Sequence, residues 1–273
     1  MIKKKAVQVA KHIICIILCL IVIMPFYMVL INSFKPKAEA AKMTLALPTE
    51  WHFETYLEVI DDGNLIQGFL NSLTYAGIAT VVGVLGCAMA AFVMARNRTK
   101  INSFLYYFVI CGLFFPVNYV TLVRVLQTFQ LANTKPGIVI AFISSMIPFC
   151  VFTIRNFISS IPVELDEAAV MDGCGPLTLF FRVIAPLMKP TLVTCFILQF
   201  MGIWSDFMTP LYLSNSSKLY PMTMAVYQFF GKNKNAWNAV FADIILTCIP
   251  VVIVYLIGQK YIVGGMTSGG VKE

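Results

Sequence analysis

Charge is scarce in this chain. Of its 273 residues only 12% are Asp, Glu, Lys or Arg, while 59% are hydrophobic; soluble domains carry about 25% charged residues. That excludes an ordinary soluble domain and leaves an integral membrane protein. Histidine is almost missing, with only His12 and His52, so neither a zinc site nor a histidine-based catalytic group is expected. No Ser/His/Asp set, HExxH or metal-ligating cluster is present, which argues against a membrane-embedded enzyme. Eight cysteines contain no CxxC pair and read as small buried hydrophobes. No stretch fits GxxxxGK[ST]; the only Gly-Lys, Gly231-Lys232, has no upstream glycine and no following Ser or Thr. The chain is therefore expected neither to hydrolyse ATP nor to bind a cofactor or metal, and any energy must come from a partner.

Long apolar runs are what it has. A span needs roughly 20 mostly apolar residues, and six segments meet or approach that: about 12–31, 69–95, 101–124, 137–157, 189–213 and 236–259. The expected fold is all-α and integral to the membrane, with six transmembrane helices in one domain over 1–273. The basic start and first apolar run resemble a signal peptide, but the run is longer than an h-region and no small-residue cleavage site precedes Asn32, so it reads as a retained helix. With both termini cytoplasmic, twelve Lys and Arg fall inside and seven outside, in line with the positive-inside rule. The short turn with Arg96, Arg98 and Lys100 is the sharpest marker. The net charge of +7 then reflects topology and calls for no nucleic-acid partner.

The second span carries Gly77, Gly83, Gly86 and several alanines, which allow close helix approach in lipid. Pro116 in the third and Pro148 in the fourth predict kinks. Asn118 is costly in lipid and is expected to face a cavity or another helix. Asp206 and Asp243 both fall near the outer interface. The loop 32–68 is water-exposed, with a short surface helix at Glu54–Ile60; it is either a solvated loop or a contact for an external partner. The loop after the fifth span, with Tyr212, Tyr220, Tyr227, Phe229, Phe230 and Trp237 in it or at its edges, is either an interfacial aromatic belt or a surface for stacking a ligand.

The segment 160–187 stands apart. Glu164, Asp166, Glu167 and Asp172 place four of the thirteen acids within nine positions, a density that no lipid-facing helix tolerates. Ser160-Ile161-Pro162 predicts a capped helix start, and Ile161, Leu165, Ala168 and Ala169 share one face. Gly173-Cys174-Gly175-Pro176 breaks the helix. Leu177, Phe180, Phe181 and Ile184 then repeat as a second apolar face, and Pro186 and Pro190 redirect the chain. The result is a helix–turn–helix bracket across the membrane surface, a form suited either to docking a soluble partner or to lying in the interface.

The string Glu167-Ala168-Ala169-x-x-Asp172-Gly173, with Ile184-x-Pro186 downstream, resembles the EAA loop of permease subunits of bacterial ABC importers. The order of spans matches as well. The phrase Asn32-Ser33-Phe34-Lys35 and the tail from Gln259 to Lys272 resemble the carbohydrate-type permeases of the maltose-permease G kind. Departures are Cys174-Gly175 where the family has Ala-Ser, which loosens the start of the second bracket helix, and Ala185 where it has leucine. The resemblance implies a heterodimer with a second permease, two copies of an ABC ATPase that uses ATP and magnesium, an extracellular solute-binding lipoprotein, and a carbohydrate substrate, a di- or oligosaccharide. It implies a cytoplasmic coupling segment between helices 4 and 5. There Glu167 would pair with a basic ATPase residue, Ala168 and Ala169 would pack in its groove, Asp172 would help hold the bracket, and Gly173 would make the turn. Leu177, Phe180, Phe181, Ile184 and Pro186 would pack the second half. The tail 264–273 resembles tails that reach the ATPase. Because sugar rings stack on aromatics and hydrogen-bond to polar groups, Asn118, Trp204 and Asp206 are the candidate pathway residues. The rivals are a permease for a non-sugar solute and an ion-coupled secondary transporter; the latter is disfavoured because no acid lies mid-span.

Overall fold

A computed structural model describes residues 2–97, 99–229 and 236–267. All regular structure among them is helical, as a chain that must satisfy its backbone in hydrocarbon requires. In order the helices are α1 (Ile2–Ser33), α2 (Lys37–Ala40), α3 (Glu54–Asp62), α4 (Leu65–Arg96), α5 (Lys100–Cys111), α6 (Tyr119–Thr128), α7 (Lys135–Ile158), α8 (Glu164–Met171), α9 (Pro176–Leu187), α10 (Lys189–Ser205), α11 (Met208–Leu213) and α12 (Trp237–Thr267). Starts follow the expected chemistry. Thr99 caps α5 by accepting from Asn102 N (3.2 Å), and Thr134 caps α7 by accepting from Gly137 N (3.1 Å) ahead of Pro136.

Among the described residues four stretches are long and apolar enough to cross a bilayer: Lys11–Ser33, Leu65–Arg96, Lys135–Ile158 and Trp237–Tyr261. A fifth is reached if α9 and α10, bent by 78° at residue 188, count as one. Two expected spans are not single helices. The third is broken: α5 ends at Cys111, residues 112–118 are non-helical, and α6 begins at Tyr119. Those helices run about 18 and 15 Å at 1.5 Å per residue, so neither alone crosses a hydrocarbon core of about 30 Å. Pro116 was expected to kink a continuous helix; with Gly112 before it and Asn118 after it, the helix stops and restarts. The fifth is interrupted at Asp206 and Phe207, between α10 and α11. Helix α12 continues to Thr267, past the start of the expected tail; Arg98, the loop residues 230–235 and the tail residues 268–273 lie outside the described residues.

The chain divides into two compact units. In the unit of Met1–Ile66 with Ala225–Ile249, the Asn32-Ser33-Phe34-Lys35 phrase ties the end of α1 to the loop. Lys35 is fully buried, and its ammonium donates to Asn32 Oδ1 (3.1 Å), Thr44 O (3.0 Å) and Thr44 Oγ1 (2.9 Å). All three of its donors are thereby used. Asn32 Nδ2 also donates to Thr44 O (2.9 Å), and Ser33 and Tyr56 hydroxyls meet at 2.7 Å. The predicted surface helix is α3; it buries Thr55 and Val59 and leaves Leu57 exposed. Asp243 is buried in α12, and its Oδ1 has no hydrogen-bond partner among the described residues.

The unit of Gln67–Met224 with Pro250–Glu273 holds one core built from α4, α5, α7, α9 and α10. Of the three glycines of the second span, Gly83 alone sits at a close approach: a Cβ there would collide with the Met146 side chain, whereas one at Gly77 or Gly86 would meet open space. Cys87, Cys150 and Cys195, from three helices, are buried in this core as small hydrophobes; Cys15, Cys19, Cys111 and Cys248 are instead exposed on the chain.

Candidate functional site

The segment between α7 and α10 begins with an ion pair joining residues 70 apart in sequence. Arg96, the last residue of α4, places Nε 2.7 Å from Asp166 Oδ2 and donates from Nη2 to Asp166 Oδ1 (3.1 Å). Its Nη1 donates to Ile161 O (3.1 Å) and Ile158 O (3.4 Å). One guanidinium thus closes the end of α7 and holds α8, with both side chains only 13–14% exposed. The pair is largely desolvated and carries one charge-assisted hydrogen bond, Nη2 to Oδ1, with Nε close to the second oxygen but not aligned to donate to it; such contacts are among the stronger polar ones a protein makes. In the sequence alone Asp166 is one of four clustered acids and Arg96 a marker of topology.

Helix α8 starts at Glu164, three residues later than a start capped by Ser160 predicts. Its N-cap is Val163 without a side-chain cap, and Ser160 Oγ instead donates back to Phe157 O (2.7 Å). The face turned inward also differs. Ile161, Asp166 and Ala169 are buried, while Leu165 and Ala168 of the expected apolar face are exposed, as is Glu167. The Arg96 pair decides this: turning Asp166 inward rotates Leu165 out.

The helix ends in a Schellman motif. Cys174 N donates to Ala169 O (3.0 Å) and Gly173 N to Val170 O (2.9 Å), with Gly173 at φ +82°. A Cβ on Gly173 would touch nothing within 4 Å. Glycine is therefore needed for its backbone conformation and not for space. Asp172 is the C-cap and is exposed.

Helix α9 contains a π-helical stretch, Leu179–Ile184, just before Pro186. Pro186 has no N–H to give residue 182, and its ring pushes that carbonyl aside; the wider i→i+5 turn accommodates it. The wide turn changes which side chains face in. Phe180 and Ile184 are buried as expected, with Phe180 against Phe92 (centroids 5.6 Å). Phe181 is instead 52% exposed and Leu179 only 8%; Leu177 and Pro186 are exposed too. The outer side of the segment thus presents Leu165, Val170, Met171 (87% exposed), Leu177 and Phe181 beside Glu164 and Glu167.

The pathway candidates gather elsewhere in this unit, around the two helix breaks. Asn118 caps α6, its Oδ1 accepting from Thr121 N (3.0 Å). The Asp206 carboxylate accepts from Thr209 N (3.0 Å) and Thr209 Oγ1 (2.6 Å) at the start of α11. The restarted helices meet through Tyr119 and Tyr212, whose rings stack at 4.7 Å and 11°. Beside them lies a cavity of about 220 Å³. Val117, Leu122, Ala141 and Pro148 form its apolar wall, and Ser144, Ser145 and Thr209 contribute hydroxyls. Gly112 lets the end of α5 close on α7, since a Cβ there would come 2.8 Å from Pro148 Cγ. Trp204 does not join this group. It is 2% exposed, meets Phe69 edge-on (5.6 Å) and stacks with Phe200 (5.7 Å) in the core. Thr209 was missed by sequence reasoning, although an Asp or Asn just ahead of an apolar run, as Asp206 and Asn118 are, is a readable helix-start signal.

Residues 83–268 match the family described as binding-protein-dependent transport system inner membrane component. The chain belongs to this family, and is thus a multi-pass membrane subunit of ABC importer type. It is 34% identical over 263 residues to the diacetylchitobiose uptake system permease protein NgcG of Streptomyces coelicolor, covering 95% of this chain and 87% of the relative. It is 31% identical to the melibiose/raffinose/stachyose import permease protein MelC of Bacillus subtilis, covering 91% of each. Its fold is that of a chain in the crystal structure of a bacterial ABC transporter involved in the import of the acidic polysaccharide alginate, with TM-score 0.84 and 21% identity over 95% of this chain and 97% of that one.

Proposed function

We propose that this chain is the permease subunit of an ATP-driven bacterial importer for a sugar, a di- or oligosaccharide delivered by an extracellular binding protein. In this reading it forms half of the translocation pathway with a second permease. Relatives over nearly its whole length are named as permeases for diacetylchitobiose and for melibiose, raffinose and stachyose. The ATPase is a separate subunit that binds ATP and magnesium. The chain crosses the membrane six times, with α5 and α6 as one interrupted span and both termini in the cytoplasm. Irregular backbone at membrane depth is tolerated where protein covers it or a cavity is lined, and the break at 112–118 borders a cavity.

One observation carries the coupling role of segment 160–187. Its inner side is fixed to the core through Arg96–Asp166, Ala169, Phe180 and Ile184, while its outer side exposes apolar and acidic groups together. A surface of that mixture fits a groove with apolar floor and basic rim on a soluble ATPase. Glu167 pairs there with a basic residue, Ala168 packs against the groove, and Gly173 with Asp172 sets the angle between α8 and α9. Nucleotide binding and release then move a rigid bracket and shift the permease between outward- and inward-open states, which requires nucleotide to favour one of them.

The test is Glu167→Lys in the complete transporter. Transport should fall by at least tenfold and the ATPase should co-purify poorly, while the chain still inserts in the membrane. Normal uptake with normal co-purification would sink the docking role. Recovery of the wild-type chain without any ATPase or second permease, after mild extraction, would favour the ion-coupled alternative instead.

A further inference from the structure

We propose that the cavity beside the two helix breaks is a subsite for one ring of a neutral sugar, held by this chain itself; the proposal rests on the sugar-permease reading above. The first argument is position. Two interrupted stretches, α5–α6 and α10–α11, converge with the Pro148 region of α7 on one small space. Discontinuous membrane helices are a common way to build a solute site. The second is size. A cavity of about 220 Å³ is far larger than a single water needs and smaller than the 300–1,000 Å³ typical of sites that enclose a whole drug-sized ligand. It suits one ring of a longer chain.

The third argument is hydrogen-bond polarity. Each lining hydroxyl has already used its only hydrogen: Ser144 Oγ donates to Ala141 O (2.8 Å), Ser145 Oγ to Phe142 O (2.9 Å) and Thr209 Oγ1 to Asp206 Oδ2 (2.6 Å). What remains on each oxygen is lone pairs. The polar part of the wall therefore accepts and does not donate. Sugar hydroxyls can donate to all three, while the apolar wall meets the C–H face of a ring. A uronate carboxylate presents acceptors to acceptors, and the Asp206 carboxylate behind Thr209 adds like-charge repulsion. The site thus selects against acidic sugars. Asn118 and Asp206 act as positioning residues, capping α6 and fixing Thr209, and the ligand-facing groups are Ser144, Ser145 and Thr209.

Cells producing the complete importer are given a mixed pool of neutral di- to tetrasaccharides and uronate oligomers, with uptake read by mass spectrometry of the cell contents. Ser144 and Ser145 are exposed toward the cavity, so replacing them disturbs little packing; assembly is checked by co-purification. Ser145→Ala should raise the KM of the transported sugar about fivefold, the size of one neutral hydrogen bond, with Vmax kept. Ser144→Leu, which fills the space, should lower uptake at least tenfold, and Ser145→Thr should restore the wild-type KM. Wild-type kinetics in Ser145→Ala and Ser144→Leu would overturn the subsite while leaving the sugar permease intact. Uptake of uronate oligomers as readily as neutral sugars would overturn its selectivity. If the wild type accumulates no member of the pool, the sugar-permease reading itself fails, and the subsite with it.

Discussion

Arg96 shows how much one side chain can decide. It lies at the end of α4, yet it closes the last turn of α7 and chooses which face of α8 turns inward. Breaking a largely buried pair leaves the other charge without compensation, a loss of about 3 kcal/mol. Asp166→Ala should therefore loosen segment 160–187. Expected signs are faster proteolysis of that segment in inside-out vesicles and a lower unfolding temperature of the purified complex, while Glu164→Ala, on an exposed position, should do neither. The exchange Arg96→Asp with Asp166→Arg should recover part of the loss. None of this was legible in the sequence, because nothing local links residues 70 apart. What was legible at this scale is what neighbours decide. Gly173 follows Asp172, the C-cap of α8, and its positive φ is what a helix stop written by one glycine requires.

At the level of single elements, the places of helices and stops were legible and the faces were not: α8 is a regular helix, yet Leu165 and Ala168 of its expected apolar face are exposed and Asp166 is buried. The acid-rich start, the glycine turn and the second apolar stretch mark α8, its stop and α9. The interior of α9 departs because Pro186 imposes a wider turn, and a face drawn from 3.6 residues per turn then exchanges Leu179 for Phe181. The third apolar run departs for a related reason. Hydropathy sees one continuous stretch, while Gly112, Pro116 and the capping Asn118 together end one helix and begin another. The stop after α8 gives a clean test. Gly173→Ala should cost about 1–2 kcal/mol, the penalty of a left-handed conformation for a residue with a Cβ, and should slow transport without preventing insertion. Gly173→Asn, better tolerated at φ > 0, should be milder. Equal effects of the two, or none, would mean that the turn is not conformationally demanding. Circular dichroism of the purified complex against temperature, beside uptake rates, makes the comparison.

On the scale of the whole chain, 12% charge marked a membrane protein and the long apolar runs marked it as helical. Sidedness is a further claim, and it has its own measurement. In a background with every native cysteine replaced, Thr99→Cys at the start of α5 should stay unlabelled by a membrane-impermeant maleimide in intact cells and react once the membrane is opened. Labelling from outside would invert the proposed topology. The number of crossings was less legible than the fold class. Two of the six apolar runs are broken in the structure; the first break and the start of α11 after the second line the same cavity, so the hydropathy profile smooths over the places where the chain departs from regular helix.

The wide turn in α9 bears on any attempt to copy this segment. A synthetic peptide of residues 160–187, freed from the core that holds Leu179 and Phe180, has no reason to keep an i→i+5 turn. It would relax toward the ordinary helix or unravel at Pro186, carrying Phe181 to the side where Leu179 belongs. Such a peptide displays a different surface from the intact bracket despite an identical sequence, and makes a poor decoy for whatever the bracket meets. A faithful mimic has to be stapled in the wide register.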